Sequence, residues 1–244
     1  SAIINIITYK GAFMKYNYVL FDLDGTIFES APGIIKAMQY GLTAVGIEET
    51  DFDILHSFIG PPLNVQLQKI YNLSKEDTSS VIQKFREQYD TQGVFESLPY
   101  EGIEELLQSL KKRNAALAVA SSKPWPLVET LLDKFHLTSY FEVITGSNPE
   151  DELKNTAAFD QKISIIKKTL AALYKTDASV AENDEQLRST IMIGDKNYDI
   201  FGAKANYISS GGVLWGYGNE KELKGASADF LFSTPQELQE FLLN

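Results

Sequence analysis

The chain has 244 residues, 44% of them hydrophobic, and a formal net charge of -11. That length supports one large core or a core domain with a smaller companion, and the charge disfavours a nucleic-acid backbone or an anionic membrane surface as main partner. The absence of cysteine excludes disulfides, thiolate catalysis and cysteine-ligated zinc or iron–sulfur sites, which is compatible with a cytoplasmic location.

Residues 1–13 (SAIINIITYKGAF) are apolar but short, with no basic leader and no small-residue cleavage pattern, so they do not read as a signal peptide. Met14 reads as a native start and the preceding residues as an extension. No apolar run approaches the length of a membrane span.

The run Tyr18 to Leu23 predicts a buried strand, yet two carboxylates, Asp22 and Asp24, stand at its end before Gly25 and Thr26. Acids at i and i+2 share one face of a strand, so their like charges need a cation nearby, which points to a metal site. From Pro32 to Phe95 the sequence carries only helical periodicity, at residues 34–45, 63–71 and 79–89. Turn-rich stretches bound this region, SAPG (30–33) and ESLPYEG (96–102).

Beyond it, helical patterns over 101–113, 126–136 and 163–174 are interspersed among short β-rich runs at Ala116–Ser121, Phe141–Thr145, Thr190–Ile193, Gly212–Trp215 and Phe230–Phe232. Residues 148–155 and 177–188 read as loops. Continuous apolar strands separated by helices indicate a parallel sheet covered on both faces. The expected fold is therefore α/β, a doubly wound parallel sheet with a smaller all-helical domain. Its α/β core would comprise residues 14–31 and 97–244, and its helical cap residues 32–96.

In open α/β sheets ligands bind beyond the carboxyl ends of the strands. The first strand brings Asp22, Asp24, Gly25 and Thr26 there, and the second brings Ser121 and Ser122 of SSKP. The fourth, in IMIGDKNYD, brings Asp195 and Asp199, and Lys162 precedes the helix leading back towards it. Taken singly, each has an ordinary structural reading: Asp-Gly and Gly-Asp turns, a helix-capping serine, a solvated lysine.

Taken together, these positions resemble the haloacid dehalogenase superfamily, whose four motifs match DLDGT, the first serine of SSKP, a downstream lysine and GDKNYD. The helical stretch sits where that superfamily inserts a cap. Within it SFIGPPL (57–63), together with the core motifs, resembles the phosphoglycolate phosphatase-like branch and related 5'-nucleotidases. The resemblance implies that Asp22 is the nucleophile and that Asp24 is the acid and base. It implies magnesium held by Asp22, the backbone carbonyl of Asp24 and Asp195.

Ser121 and backbone amides around Gly25 would hold phosphate oxygens, with Thr26 and Ser122 as supporting residues. Lys162 would neutralise nucleophile and phosphate, with Asp199 orienting Lys162 or a metal-bound water. Lys154 lies in the same window, but Lys162 has the lysine-then-amphipathic-helix form of the motif. The turn Gly60, Pro61 and Pro62 would shape the leaving group's site.

Other positions read as structural. Lys84 and Arg86 are solvated helix-face charges, with a substrate carboxylate as the alternative. His56 and His136 have no partner at metal-ligand spacing and read as surface or packing residues. GGVLWGYG (211–218) lacks the GxGxxG of a dinucleotide site.

The expected activity is magnesium-dependent hydrolysis of a small phosphomonoester, phosphoglycolate-like or a nucleoside monophosphate, through an aspartyl-phosphate. An acid at position 24 separates this chemistry from carbon–halogen cleavage. Two alternatives are a phosphosugar mutase, which would want a histidine after DGT, and a silent binding protein, which would have lost Asp22, Asp24, Lys162 or Asp195. Expected partners are a small phosphorylated metabolite, no nucleic acid and no membrane, with the chain a monomer or homodimer.

Overall fold

The computed structural model describes residues 14–149, 158–175 and 184–244. After β1 (Tyr18–Phe21) the chain makes a tight loop into β2 (Phe28–Glu29), then enters four helices with no strand among them. These are α1 (Ala31–Leu42), α2 (Phe52–His56), α3 (Leu63–Tyr71) and α4 (Lys75–Tyr89). The return passes through β3 (Leu98–Pro99), which pairs antiparallel with β2. The two connections to the helical insertion are thus hydrogen-bonded to each other.

The rest alternates helix and strand: α5 (Ile103–Lys112), β4 (Ala116–Pro124), α6 (Trp125–Lys134), β5 (Val143–Ser147), α7 (Ala158–Tyr174), α8 (Asp184–Arg188) and β6 (Thr190–Gly194). It closes with α9 (Asn197–Ala205), β7 (Ser209–Val213), α10 (Glu220–Gly225), β8 (Phe230–Phe232) and α11 (Pro235–Leu243).

The sheet order is β5-β4-β1-β6-β7-β8, with every pairing parallel. β1 lies between β4 and β6, so the winding reverses there and a crevice opens at its carboxyl end. Alternation along the central strands covers both faces. Val19, Phe21, Ile191 and Ile193 join the cluster that runs under α5, α6 and α11 and continues into the insertion. Leu20, Met192, Ala118 and Ala120 join the opposite one, with Ile165, Ile166 and Leu170 of α7. Val19, Leu20 and Phe21 are fully buried, each side chain contributing about 1.5–3 kcal/mol by leaving water.

The insertion packs chiefly through α1 against α4. Gly41 permits the approach, since a Cβ there would come within 2.8 Å of the Val81 carbonyl oxygen. Ser74 caps α4, its Oγ accepting the Asp77 N–H at 3.0 Å.

The fold class is as the sequence predicts, a doubly wound α/β sheet with a helical insertion. Details differ. β4 runs on to Pro124, and α7 begins before Lys162 rather than after it. The expected loop at 177–188 ends in the short helix α8, while residues 150–157 and 176–183, which hold Lys154 and most of both expected loops, lie outside the described residues. No helix among the described residues is long and apolar enough to cross a membrane.

Candidate active site

Four elements converge on the crevice. Asp22 follows β1 directly, and its N–H donates to the Ile193 carbonyl at 2.9 Å, so the sheet fixes its backbone. The chain then turns tightly: the N–H groups of Ile27 and Phe28 both donate to the Leu23 carbonyl at 2.9 Å, and Gly25 N–H to Phe28 at 2.8 Å. Gly25 adopts φ +78°, and a Cβ there would collide with the Asp195 carboxylate. Only glycine meets both demands at once.

Lys162 projects from α7 between two acids. Its Nζ lies 2.8 Å from Asp22 Oδ1 and 2.7 Å from Asp199 Oδ1, and the residue is 1% exposed. Asp199, in the first turn of α9, also accepts the Lys196 N–H on Oδ2 at 3.0 Å. Burial works against the lysine's charge, but Asp199 and Asp22 outweigh it and hold its pKa above the ordinary lysine value.

Asp195 completes an acidic group. Ligand oxygens of Asp22, Asp195 and Asp199 all lie within 4.8 Å of one another. Asp195 Oδ2 accepts the Tyr217 N–H at 2.8 Å, whereas Oδ1 is buried and accepts no hydrogen bond. Burial pushes the Asp22 carboxyl up to about 6, against the pull of Lys162. Burial and then the Asp199 and Asp22 charges push Asp195 up to about 8. A buried, orphaned carboxylate oxygen beside two more acids is a donor set suited to a hard divalent cation.

Asp24 belongs to a different group. Its two carboxylate oxygens accept from Lys123 Nζ at 3.0 and 2.9 Å, and the same ammonium donates to the Tyr89 hydroxyl at 2.5 Å. Ser121 is within β4 rather than at a helix start, and its Oγ accepts the Lys123 N–H at 3.2 Å. Helix capping does not explain it, because Pro124 occupies the N-cap of α6.

These groups wall an open cleft of about 850 Å³ counting its mouth. Asp22, Asp24, Ser121, Ser122, Lys162 and Asp199 line it from the sheet and its helices, and Gly60, Pro61 and Pro62 from the insertion, with Ile34, Phe58 and Phe85. Gly25, Thr26 and Asp195 are not part of its wall. Arg86 reaches the cleft; Lys84 does not, its Nζ donating to Thr43 Oγ1 at 3.1 Å. His56 and His136 are exposed, and His56 stacks on Tyr217 with centroids 6.3 Å apart.

Sequence reasoning missed Lys123, Tyr89 and Tyr217. The Tyr217 hydroxyl accepts the N–H groups of Ser30 and Ala31 at 2.6 and 2.9 Å, capping α1 where Ser30 offers no side-chain bond. Trp215 Nε1 donates to the Thr26 carbonyl at 3.1 Å. The loop after β7 therefore braces both Asp195 and the turn after Asp24. Its signal was the pair of aromatics among the glycines of GGVLWGYG.

A family model described as haloacid dehalogenase-like hydrolase matches residues 19–213. A 5'-nucleotidase of Pseudomonas aeruginosa is 32% identical over 88% of this chain and 90% of its own. A phosphoglycolate phosphatase of Aquifex aeolicus is 30% identical over 93% of this chain and 96% of its own. The crystal structure of a predicted phosphatase from Clostridium acetobutylicum superposes with a TM-score of 0.81 at 36% identity, covering 93% of this chain and 98% of that one.

Proposed function

Because the chain belongs to the haloacid dehalogenase-like hydrolases, we propose that it is a magnesium-dependent phosphatase of small phosphomonoesters, working through an aspartyl-phosphate on Asp22. The observation that carries this reading is the placement of Lys162 between Asp22 and Asp199 in the lining of a cleft that Asp24 also lines. Residues 14–31 and 97–244 are the catalytic core and 32–96 the cap.

The chemistry follows from the side chains. A carboxylate needs no activating base, so Asp22 attacks phosphorus with Oδ2 while Lys162 holds Oδ1. As the Asp22–phosphorus bond forms, the bond to the leaving oxygen breaks and Asp24 gives that oxygen a proton. Water then attacks the acyl phosphate, Asp24 takes its proton, and inorganic phosphate leaves Asp22 free. Ser121 and Lys162 bind the phosphoryl oxygens throughout. Asp22, Asp195 and the Asp24 carbonyl would hold magnesium, with Asp199 next to them. Bound there, the cation supplies positive charge that offsets repulsion between phosphate and carboxylates. Gly60, Pro61 and Pro62 bound the space left for the leaving group.

Phosphate release from a panel of phosphorylated metabolites and phosphopeptides tests this. At least one small phosphomonoester should exceed every phosphopeptide by about tenfold in kcat/KM, or about 1.4 kcal/mol. Parity with phosphopeptides, or equal turnover in excess chelator, overturns the assignment. A mutase is less well supported, since neither histidine among the described residues lines the cleft.

Magnesium and protons should compete for the site. Asp195 titrates near 8 in the metal-free protein, so below that pH a proton must leave before the cation can bind. Apparent magnesium affinity, read from the thermal shift it produces, should therefore rise with pH by up to about tenfold per unit below pH 8 and level off above it. A flat affinity from about pH 6 to 8 contradicts Asp195 as a ligand.

A further inference from the structure

The ammonium of Lys123 is an unusually complete junction. It carries three N–H donors, and three bonds are present: two to the oxygens of Asp24 and one to the Tyr89 hydroxyl. Lys123 is 7% exposed and Tyr89 2%. An ammonium spent on three partners in a buried setting has its direction fixed, and the carboxylate it grips with both oxygens is fixed with it.

The three residues come from parts of the fold that are joined in different ways. Asp24 follows β1 and Lys123 sits on β4, neighbours in one sheet whose registers are tied residue by residue. Tyr89 is the last residue of α4, in the helical insertion, where its ring stacks on Phe85 with centroids 5.2 Å apart. The Tyr89–Lys123 bond therefore crosses between insertion and sheet, and any movement of the insertion that carries Tyr89 away leaves Lys123 with Asp24 alone. Lys162 makes no such crossing; its partners Asp22, at the end of β1, and Asp199, in the first turn of α9, both lie outside the insertion.

We propose that Tyr89 is a positioning residue acting through Lys123, so that the orientation of Asp24 depends on the seating of the helical insertion. The nucleophile is held whether or not the insertion is seated, whereas the proton-transfer group is aligned only when it is. This rests on the reading of Asp24 as acid and base. It makes the insertion part of the proton-transfer step as well as a wall over the substrate.

Tyr89→Phe keeps the ring and the charges and removes only the hydroxyl. Its effect should appear where Asp24 moves a proton. In single-turnover phosphoryl transfer from an alkyl phosphate, whose leaving oxygen needs a proton, the rate should fall about tenfold. With p-nitrophenyl phosphate, whose leaving group departs as a stable anion, it should fall less than about threefold. KM for the alkyl ester should stay within about threefold of wild type.

If Tyr89 works through Lys123, the two effects are not additive. In a Lys123→Met background, Tyr89→Phe should change the alkyl-ester rate by less than about twofold. Equal losses on the two esters, a rise in KM with the rate unchanged, or full additivity in the cycle each overturn the inference. The last would mean that Tyr89 only packs, and a pure KM effect that Lys123 meets substrate instead. Should Lys123→Met not fold, the ester comparison on Tyr89→Phe decides alone. A wild-type protein that hydrolyses neither ester removes the phosphatase reading and this inference with it; unequal standing of the two appears as an active wild type with equal losses.

Discussion

Asp22→Asn should abolish turnover, lowering kcat by at least about 10⁴-fold, equivalent to about 5 kcal/mol of transition-state stabilisation. The amide is nearly isosteric but its oxygen is a poor nucleophile, and it removes one charge from the acids gathered with Asp195 and Asp199. No neighbour can substitute: Asp24 is bound to Lys123 through both oxygens, and Asp199 lies against Lys162 and the Lys196 N–H. The fold should survive. Burial already raises the Asp22 carboxyl to about 6, so a neutral group there relieves a desolvation cost as it gives up the attraction of Lys162. Steady-state rates together with thermal unfolding of the variant check both halves. Substantial residual hydrolysis by a folded variant refutes the aspartyl-phosphate route, and acid-quench trapping of labelled phosphate on wild type but not on the variant supports it directly.

What could be read from the sequence follows the range over which each signal acts. β1, β4, β6 and β8 are short apolar runs between helices, and a local pattern suffices to place them within a few residues. Asp22, Asp24, Asp195 and Asp199 were visible because they interrupt or follow such runs, where a parallel sheet exposes its carboxyl edge. Lys162 was harder, since a lysine in a helical pattern resembles a solvated one. Its choice over Lys154 came from motif form, and only its burial between two carboxylates gives the physical reason for it to be there.

Lys123 and Tyr89 escaped for a different reason. Their partners lie 99 and 34 residues apart in the chain, so nothing local distinguishes them from a surface lysine after SS and a helix-end tyrosine. The same holds for Tyr217, whose hydroxyl caps a helix 186 residues upstream. The β2–β3 pairing joins two-residue segments too short for periodicity to show, and exists because the two connections to the insertion must pass side by side.

Lys162→Met should have the largest combined effect on stability and rate. The lysine is buried between Asp22 and Asp199, so its removal leaves two carboxylates unpaired beside Asp195 rather than merely deleting a favourable contact. Breaking such a buried arrangement costs about 3–5 kcal/mol, which for a chain of this size is a fall of about 6–20 °C in Tm. The sign with pH follows from the acids. With the cation gone the Asp22 carboxyl loses the pull that offsets its burial and rises above about 6, so the folded variant binds more protons than the unfolded chain, and its stability falls as pH increases through that raised value. The destabilisation relative to wild type should therefore be largest near about pH 8 and smaller near about pH 5, where Asp22 and Asp195 are protonated. Magnesium should restore part of the lost stability at about pH 8, because it brings positive charge to the same three acids. It should not restore the rate. The phosphoryl group still lacks the ammonium that bridged it to Asp22, and kcat should stay at least about 100-fold below wild type, or about 2.7 kcal/mol. Unfolding curves at the two pH values, with and without magnesium, beside single-turnover rates separate these effects. A variant with wild-type Tm at pH 8 and a normal rate would show that Lys162 is an ordinary buried lysine and that the charge balance of the site lies elsewhere.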